Sequence, residues 1–176
     1  MKAISLWQPW ASAIASGSKR IETRSWATNY RGPLLIHAAR RCVKEELVAM
    51  SANWMWRAAL ALTRKHMSDN RQLWDVLPFG AIVARCNLVE CVRTGSLSGD
   101  ILDYVRTQEG KRPGGVYDWT ERQMGDFTLG RFGWLLEDVV PITPVPCVGR
   151  QGLFEVSDAL LENQAGAMGL DRVEDL

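Results

Sequence analysis

The apolar segments of this chain are short and irregularly spaced, and this pattern constrains the fold more than any other feature. Residues 3–7, 34–37, 80–92 and 132–140 have the length and composition of β-strands. The strand at 132–140 is expected to end at Pro141, because the prolines that follow disfavour regular sheet pairing. Helical segments lie between the strands without the regular alternation of a doubly wound sheet. We therefore predict an α+β fold, with a curved mixed sheet packed against helices.

The predicted helices and the positions of Pro and Gly indicate the domain organisation of the chain. Pro9 suits the first position of a helix that stops at Gly17. Apolar side chains recur at intervals of three, four or seven residues after position 42, which predicts a helical insertion at about residues 42–78. We expect one domain over residues 1–156, followed by a C-terminal helix and a loose acidic tail over residues 157–176.

Charge is distributed unevenly along the 176 residues. Residues 1–66 carry eleven Lys and Arg against three Asp and Glu, whereas residues 67–176 carry ten against seventeen. A basic amino-terminal region suits phosphates or other anions, although ordinary solvated charge gives the same count.

Several classes of site are disfavoured by what the sequence lacks. The four cysteines show no CxxC spacing and only two histidines are present, so no metal is predicted and a reducing cytoplasm is the expected compartment. Neither GxGxxG nor GxxxxGK[ST] occurs, so no nucleotide cofactor is expected. No window reaches the length of apolar residues that a membrane span needs, so no membrane partner is expected.

Five sequence blocks resemble the ASCH domain family, which is related to PUA RNA-binding domains. They are LWQPWA at 6–11, GSKRIETRSW at 17–26, YRGPLLIHAA at 30–39, GAIVA at 80–84, and GDF followed by GRFGW within 125–134. The resemblance implies a small PUA-like β-barrel with a cleft that accepts a nucleoside, a nucleotide or RNA. Members of the family include amidohydrolases of N4-acetylcytidine, a ribonuclease and RNA-binding modules.

The resemblance also indicates candidate catalytic residues. The family's amidohydrolases use a Lys, a Thr three positions later and a more distant Glu. Lys19 matches the first, but Glu22 occupies the second position and Thr23 follows it. A shift of one residue on a strand turns a side chain to the opposite face, so Glu22 is the more natural cleft residue. The distant carboxylate has two candidates, Glu109 and Glu121, of which Glu121 is preferred.

Further side chains are candidates for contacting the substrate. Tryptophan can stack on a base, arginine can contact phosphate, and a glutamine amide can read a base edge. Trp134 is alternatively a core residue, and His37 is alternatively a hydrogen-bonded core histidine. The substrate-binding candidates are Gln8, Trp10, Arg24, Trp26, Arg31, His37, Arg131 and Trp134.

Two main functions are consistent with these residues. The first is a metal-independent amidohydrolase of N4-acylated cytidine or a related modified pyrimidine nucleoside, in which Lys19, Glu22 and Glu121 polarise and activate water. The alternative is a non-catalytic module that binds RNA or a modified nucleotide in the same cleft. A metal-independent ribonuclease is a third possibility. Without the family resemblance, the Lys-x-x-Glu-x-Arg cluster would indicate only a salt-bridged surface.

Overall fold

The computed structural model describes residues 1–41, 73–94 and 124–167. Most of the expected helical insertion and the end of the expected acidic tail lie outside the described residues. The same is true of Glu109 and Glu121. Within the described ranges, no helix has both the length and the apolar character needed to cross a membrane.

The described chain forms a curved mixed sheet with helices against both faces, which confirms the prediction of an α+β fold with a curved mixed sheet. The sheet order is β2-β5-β4-β3-β1-β6, with β1 and β3 parallel and the other pairs antiparallel. In chain order, the elements are β1 (Lys2–Leu6), α1 (Trp10–Ala15), β2 (Ile21–Arg24), β3 (Gly32–Ala38), α2 (Leu73–Val76), β4 (Ala81–Arg93), β5 (Phe132–Pro146), β6 (Leu153–Glu155) and α3 (Asp158–Ala167).

Apolar side chains are buried on both faces of the sheet. On one face, Ile4 and Ile36 pack with Ile14 of α1. On the other, Ala3 packs with Leu161 of α3. Alternation along β1 therefore sends neighbouring residues to different cores. Each fully buried Ile or Leu contributes about 1.5–3 kcal/mol, so the two helices are fixed on opposite sides of the sheet.

The expectation that the fourth long strand ends at Pro141 is wrong, because β5 continues to Pro146. This second half still pairs with β4, with a register shift between Ile82 and Ala84. β2 pairs only with the first four residues of β5, so the later part has β4 alone as its neighbour among the described strands. Proline is tolerated on such an edge, where its missing N–H can face away from the ladder.

A cross-strand hydrogen bond connects β1 and β3 on the α3 side of the sheet, where the His37 ring meets that of Phe154. His37 Nδ1 lies 3.0 Å from Ser5 Oγ, and His37 Nε2 lies 3.0 Å from the carbonyl oxygen of Cys147. Because a carbonyl only accepts, Nε2 carries the proton and Nδ1 accepts from the Ser5 hydroxyl. Burial lowers the pKa of His37, which favours this neutral form.

The lowered pKa of His37 makes a testable contribution to stability. The imidazole of the unfolded chain binds a proton more readily than that of the folded chain. The contribution of His37 to stability is therefore complete above the unfolded-state pKa of 6.5, and it is lost as the pH falls from there through the lower pKa of the folded state. We expect the free energy of unfolding, measured with urea at about pH 7.5 and about pH 5, to fall less in His37→Gln than in the wild type. An identical pH dependence in both proteins would contradict this assignment.

Candidate functional site

A cleft of about 520 Å3 opens where β1, α1, β2 and the loop before β5 meet. Its volume lies within the range of small-molecule sites. The wall combines two indole rings, two guanidinium groups and two carboxylates. The lining residues are Ser5, Leu6, Trp7, Trp10, Glu22, Thr23, Arg24, Met124, Gly125, Asp126 and Arg131.

Lys19 and Glu22 form an ion pair at the base of this cleft. Lys19 follows α1, and its side chain is fully buried. Its Nζ donates a hydrogen bond to the carbonyl of Ile21 and lies 3.9 Å from Glu22 Oε2. Glu22 lines the cleft, whereas Lys19 lies behind the wall. The structure thus brings the two residues together but leaves only the carboxylate facing a ligand.

Arg24 holds the opposite side of the Glu22 carboxylate. Its Nε lies 3.7 Å from Glu22 Oε1, and its Nη2 donates a 3.0 Å hydrogen bond to the carbonyl of Ser5. The guanidinium therefore bridges β2 and β1. Its buried Nε has no hydrogen-bond partner within the described ranges, so the contact with Glu22 is an ion pair without a direct hydrogen bond.

The loop over residues 124–131 forms the other wall. The backbone N–H of Asp126 donates to Thr23 Oγ1 at 3.0 Å, and Arg131 Nη2 donates to the carbonyl of Thr23 at 3.4 Å. Arg131 Nε lies 3.2 Å from Asp126 Oδ2. Hydrogen bonds from Thr128, with a smaller contribution from Arg131, lower the pKa of Asp126. The loop therefore presents an ionised carboxylate and a guanidinium that are held against β2.

Glu22 and Thr23 both line the cleft although neighbouring strand residues point to opposite faces. The loop adds wall on the side of Thr23, which explains why both residues reach the cavity. The Thr23 hydroxyl already accepts the hydrogen bond from Asp126 N–H. In this arrangement, Thr23 positions the loop.

Gln8 is placed away from the cleft wall. Its Nε2 donates to the carbonyl of Pro78 at 2.7 Å, and its Oε1 accepts from the N–H of Ser12 at 3.1 Å. The second bond satisfies one of the amide groups left open at the start of α1. The buried amide thus connects α1 to the segment before β4.

Four other candidates, Trp26, Arg31, His37 and Trp134, also lie outside the cleft wall. Trp134 is fully buried, and its ring meets that of Trp26 edge to face with the centroids 4.7 Å apart. Its indole N–H has no hydrogen-bond partner in the part of the chain that the structure describes. Arg31 is exposed and forms an ion pair with Glu90. His37 is bonded within the sheet as described above. These side chains do not reach a ligand in the cleft.

The structure adds residues that were not among the candidates, notably Trp7, Met124 and Asp126. Asp126 belongs to the GDF block that carries part of the family resemblance, so that block was the available signal. No group of three His, Cys, Asp or Glu side chains in the described ranges is arranged to hold a metal ion.

Fold and cleft together define a small curved-sheet domain with a polar and aromatic cleft beside α1. The model of the ASCH domain matches residues 4–120, which is more than half of the chain. The chain belongs to the ASCH domain family.

Comparison with individual proteins gives more distant similarities. Activating signal cointegrator 1 from Homo sapiens and from Mus musculus is 30% identical over 90 residues, which cover 51% of this chain. The matched region spans only 14% of the length of these relatives. The crystal structure of ASCH from Zymomonas mobilis has a TM-score of 0.47 at 16% identity, covering 94% of this chain and 93% of the other. The crystal structure of a mutant of that protein has a TM-score of 0.48 at 18% identity, and the match covers 94% of this chain and 96% of the other.

The buried ion pair makes a prediction about stability. Lys19→Met leaves the Glu22 carboxylate buried with only Arg24 nearby. Removing one partner of a buried pair costs roughly 3–5 kcal/mol, and we expect about 3 kcal/mol because Arg24 remains. Urea unfolding would measure this loss.

A double-mutant cycle provides the control. Adding Glu22→Gln to Lys19→Met removes the uncompensated charge, so the double variant should be more stable than the sum of the single losses. Strict additivity would show that the two groups do not interact.

Proposed function

We propose that the cleft binds one nucleotide unit, either a free nucleotide or one residue of an RNA strand. The observation that carries this proposal is the presence of two indole rings and two guanidinium groups in one cavity of about 520 Å3. Aromatic faces stack on bases, and guanidinium groups form paired hydrogen bonds with phosphate oxygens. Membership of a family related to RNA-binding domains supports the same chemistry.

The position of the aromatic rings suits base stacking. Trp10 begins α1, and Trp7 lies in the turn that connects β1 to α1. Trp7 is 46% exposed, which is unusual for so large an apolar side chain. The guanidinium of Arg41 lies over its ring, 4.6 Å from the centroid. An indole supported on one face by a cation is held in place to receive a base.

The charged groups of the cleft occur as neighbouring pairs of opposite sign. Arg24 lies beside Glu22, and Arg131 lies beside Asp126. The wall is therefore close to electrically neutral, which suits a base and sugar with a single phosphate. The carboxylates accept hydrogen bonds, and an exocyclic amine of a base such as cytosine donates them.

Calorimetric titration with cytidine 5′-monophosphate tests this binding function. Trp10→Ala removes a stacking surface worth about 1–3 kcal/mol, so we expect the Kd to rise about tenfold. Arg131→Gln should also weaken binding because it removes a cation from the wall.

Arg93→Gln is a matched control, because Arg93 is exposed at the end of β4 and lines neither this cleft nor the cavity described below. It should leave the Kd within about twofold. Failure of the wild type to bind the nucleotide would overturn the proposal.

Hydrolysis of an N4-acylated cytidine is a second candidate function of this cleft. It rests on the Glu22 carboxylate, which lines the cleft. Buried Lys19 forms an ion pair with one of its oxygens, and Arg24 forms an ion pair with the other. In this reaction, Glu22 takes a proton from water, and the water oxygen attacks the acyl carbon. The C–N bond then breaks, and the proton passes from Glu22 to the nitrogen of the departing cytidine, leaving the carboxylic acid as the other product.

The catalytic candidate is tested by following conversion of N4-acetylcytidine to cytidine by its change in ultraviolet absorbance. Glu22→Gln keeps the shape of the residue but cannot accept the proton, so we expect the rate to fall about 100-fold or more. Glu90→Gln is the control, since Glu90 is paired with Arg31 outside the cleft. Absence of turnover in the wild type would exclude hydrolysis of this compound and leave nucleotide binding in place.

A further inference from the structure

A second cavity, of about 330 Å3, lies next to the cleft. Ser5 contributes to the walls of both, so the two spaces are separated by little more than the end of β1. Its described wall contains two arginines, Arg40 and Arg150, and no Asp or Glu. The lining residues are Ser5, His37, Ala39, Arg40, Gly80, Cys147, Val148, Gly149, Arg150 and Gln151.

The floor of this second cavity is formed by the hydrogen-bonded Ser5 and His37 pair. The backbone at Gly149 packs directly on it, since a Cβ there would lie 2.4 Å from His37 Cε1 and 2.5 Å from Ser5 Oγ. Only glycine allows so close an approach without displacing the buried imidazole. The loop that carries Arg150 is therefore held against the sheet at a defined position.

The arginines of the second cavity differ from those of the cleft. Arg24 and Arg131 each have a carboxylate within 4.0 Å. Arg40 and Arg150 are exposed, and neither has an ion pair with another residue of the described ranges. The Arg40 side chain packs over Gly80, where a Cβ would lie 3.5 Å from its Nε. The second cavity therefore carries a net positive charge that suits an anion.

An exposed tryptophan of the cleft wall, Trp7, lies close to the segment that carries Arg40 of the second cavity. Trp7 lines the cleft, and its ring is covered by Arg41, the residue that follows Arg40 of the second cavity. The backbone N–H of Ala39 donates to the carbonyl of Leu6 at 2.8 Å, which holds the end of β3 beside the Trp7 turn. The Trp7 turn of the cleft and the segment that carries Arg40 are therefore neighbours in the fold.

We infer that the two cavities are adjacent subsites for a single-stranded oligonucleotide. The cleft takes one nucleotide of the strand. The neighbouring nucleotide lies in the second cavity, where Arg40 and Arg150 bind the phosphate that links the two. This inference rests on the proposed nucleotide-binding function and names its ligand as a strand of two or more residues. A neutral-walled base site beside a positively charged site matches the alternation of bases and phosphates along such a strand.

Comparing a mononucleotide with a short strand tests the inference. We expect calorimetry to give a Kd about tenfold lower for the trinucleotide CpCpC than for cytidine 5′-monophosphate, because Arg40 and Arg150 engage an additional phosphate and nucleotide. In Arg40→Gln/Arg150→Gln, this gain should be lost while the Kd for the mononucleotide stays within about twofold. The dependence of log Kd on log salt should weaken by about 0.7 for each phosphate contact removed.

The controls separate this inference from the proposed function. Arg93→Gln removes one positive charge outside both cavities and should retain the full gain for CpCpC. The two-subsite inference is wrong if the mononucleotide binds but CpCpC binds no tighter, if the double variant retains the gain, or if Arg93→Gln abolishes it. If neither ligand binds to the wild type, the nucleotide-binding function itself fails.

Discussion

The arrangement of the cleft depends on the buried ammonium group of Lys19. Its side chain is fully buried, donates to the carbonyl of Ile21 and faces the carboxylate of Glu22 at 3.9 Å. A charge removed from water at this depth requires a partner, so α1, which precedes Lys19, and β2, which carries Glu22, must keep a fixed relation. The backbone N–H of Lys19 reinforces this relation by donating to the carbonyl of Ala13. A rigid base under the cleft follows from this constraint.

The opposite wall depends on β2 in a different way, through hydrogen bonds to Thr23. Thr23 Oγ1 accepts from the Asp126 N–H, and its carbonyl accepts from Arg131. The backbone N–H of Arg131 donates in turn to Thr94 Oγ1 at 3.1 Å. One strand thus positions a buried ion pair on one side and an ordered loop on the other, which is why Glu22 and Thr23 both line the same cavity.

The sequence predicts local features well and long-range partners poorly. Alternation and family blocks give the strands and place Lys19 near Glu22, because the two residues are only three apart. Nothing local indicates that Gln8 is bonded to the carbonyl of Pro78, 70 residues away. For Trp134 the sequence leaves a core position and a stacking position open, and the structure places it in the core. The extension of β5 to Pro146 is compatible with its prolines because, among the described strands, only β4 pairs with this part, and this is visible only in the sheet order.

The distribution of charge along the sequence acquires meaning only in three dimensions. The basic amino-terminal region contains both Arg24 and Arg40, but Arg24 lines the cleft and Arg40 lines the second cavity. Arg24 is balanced by Glu22 within the cleft, whereas Arg40 joins Arg150, from the acidic part of the chain, in a cavity with no carboxylate in its described wall. Net charge per segment therefore does not predict where positive charge accumulates in the fold. Within the described residues, Arg40 and Arg150 have no carboxylate partner, so the second cavity is more positively charged than the cleft.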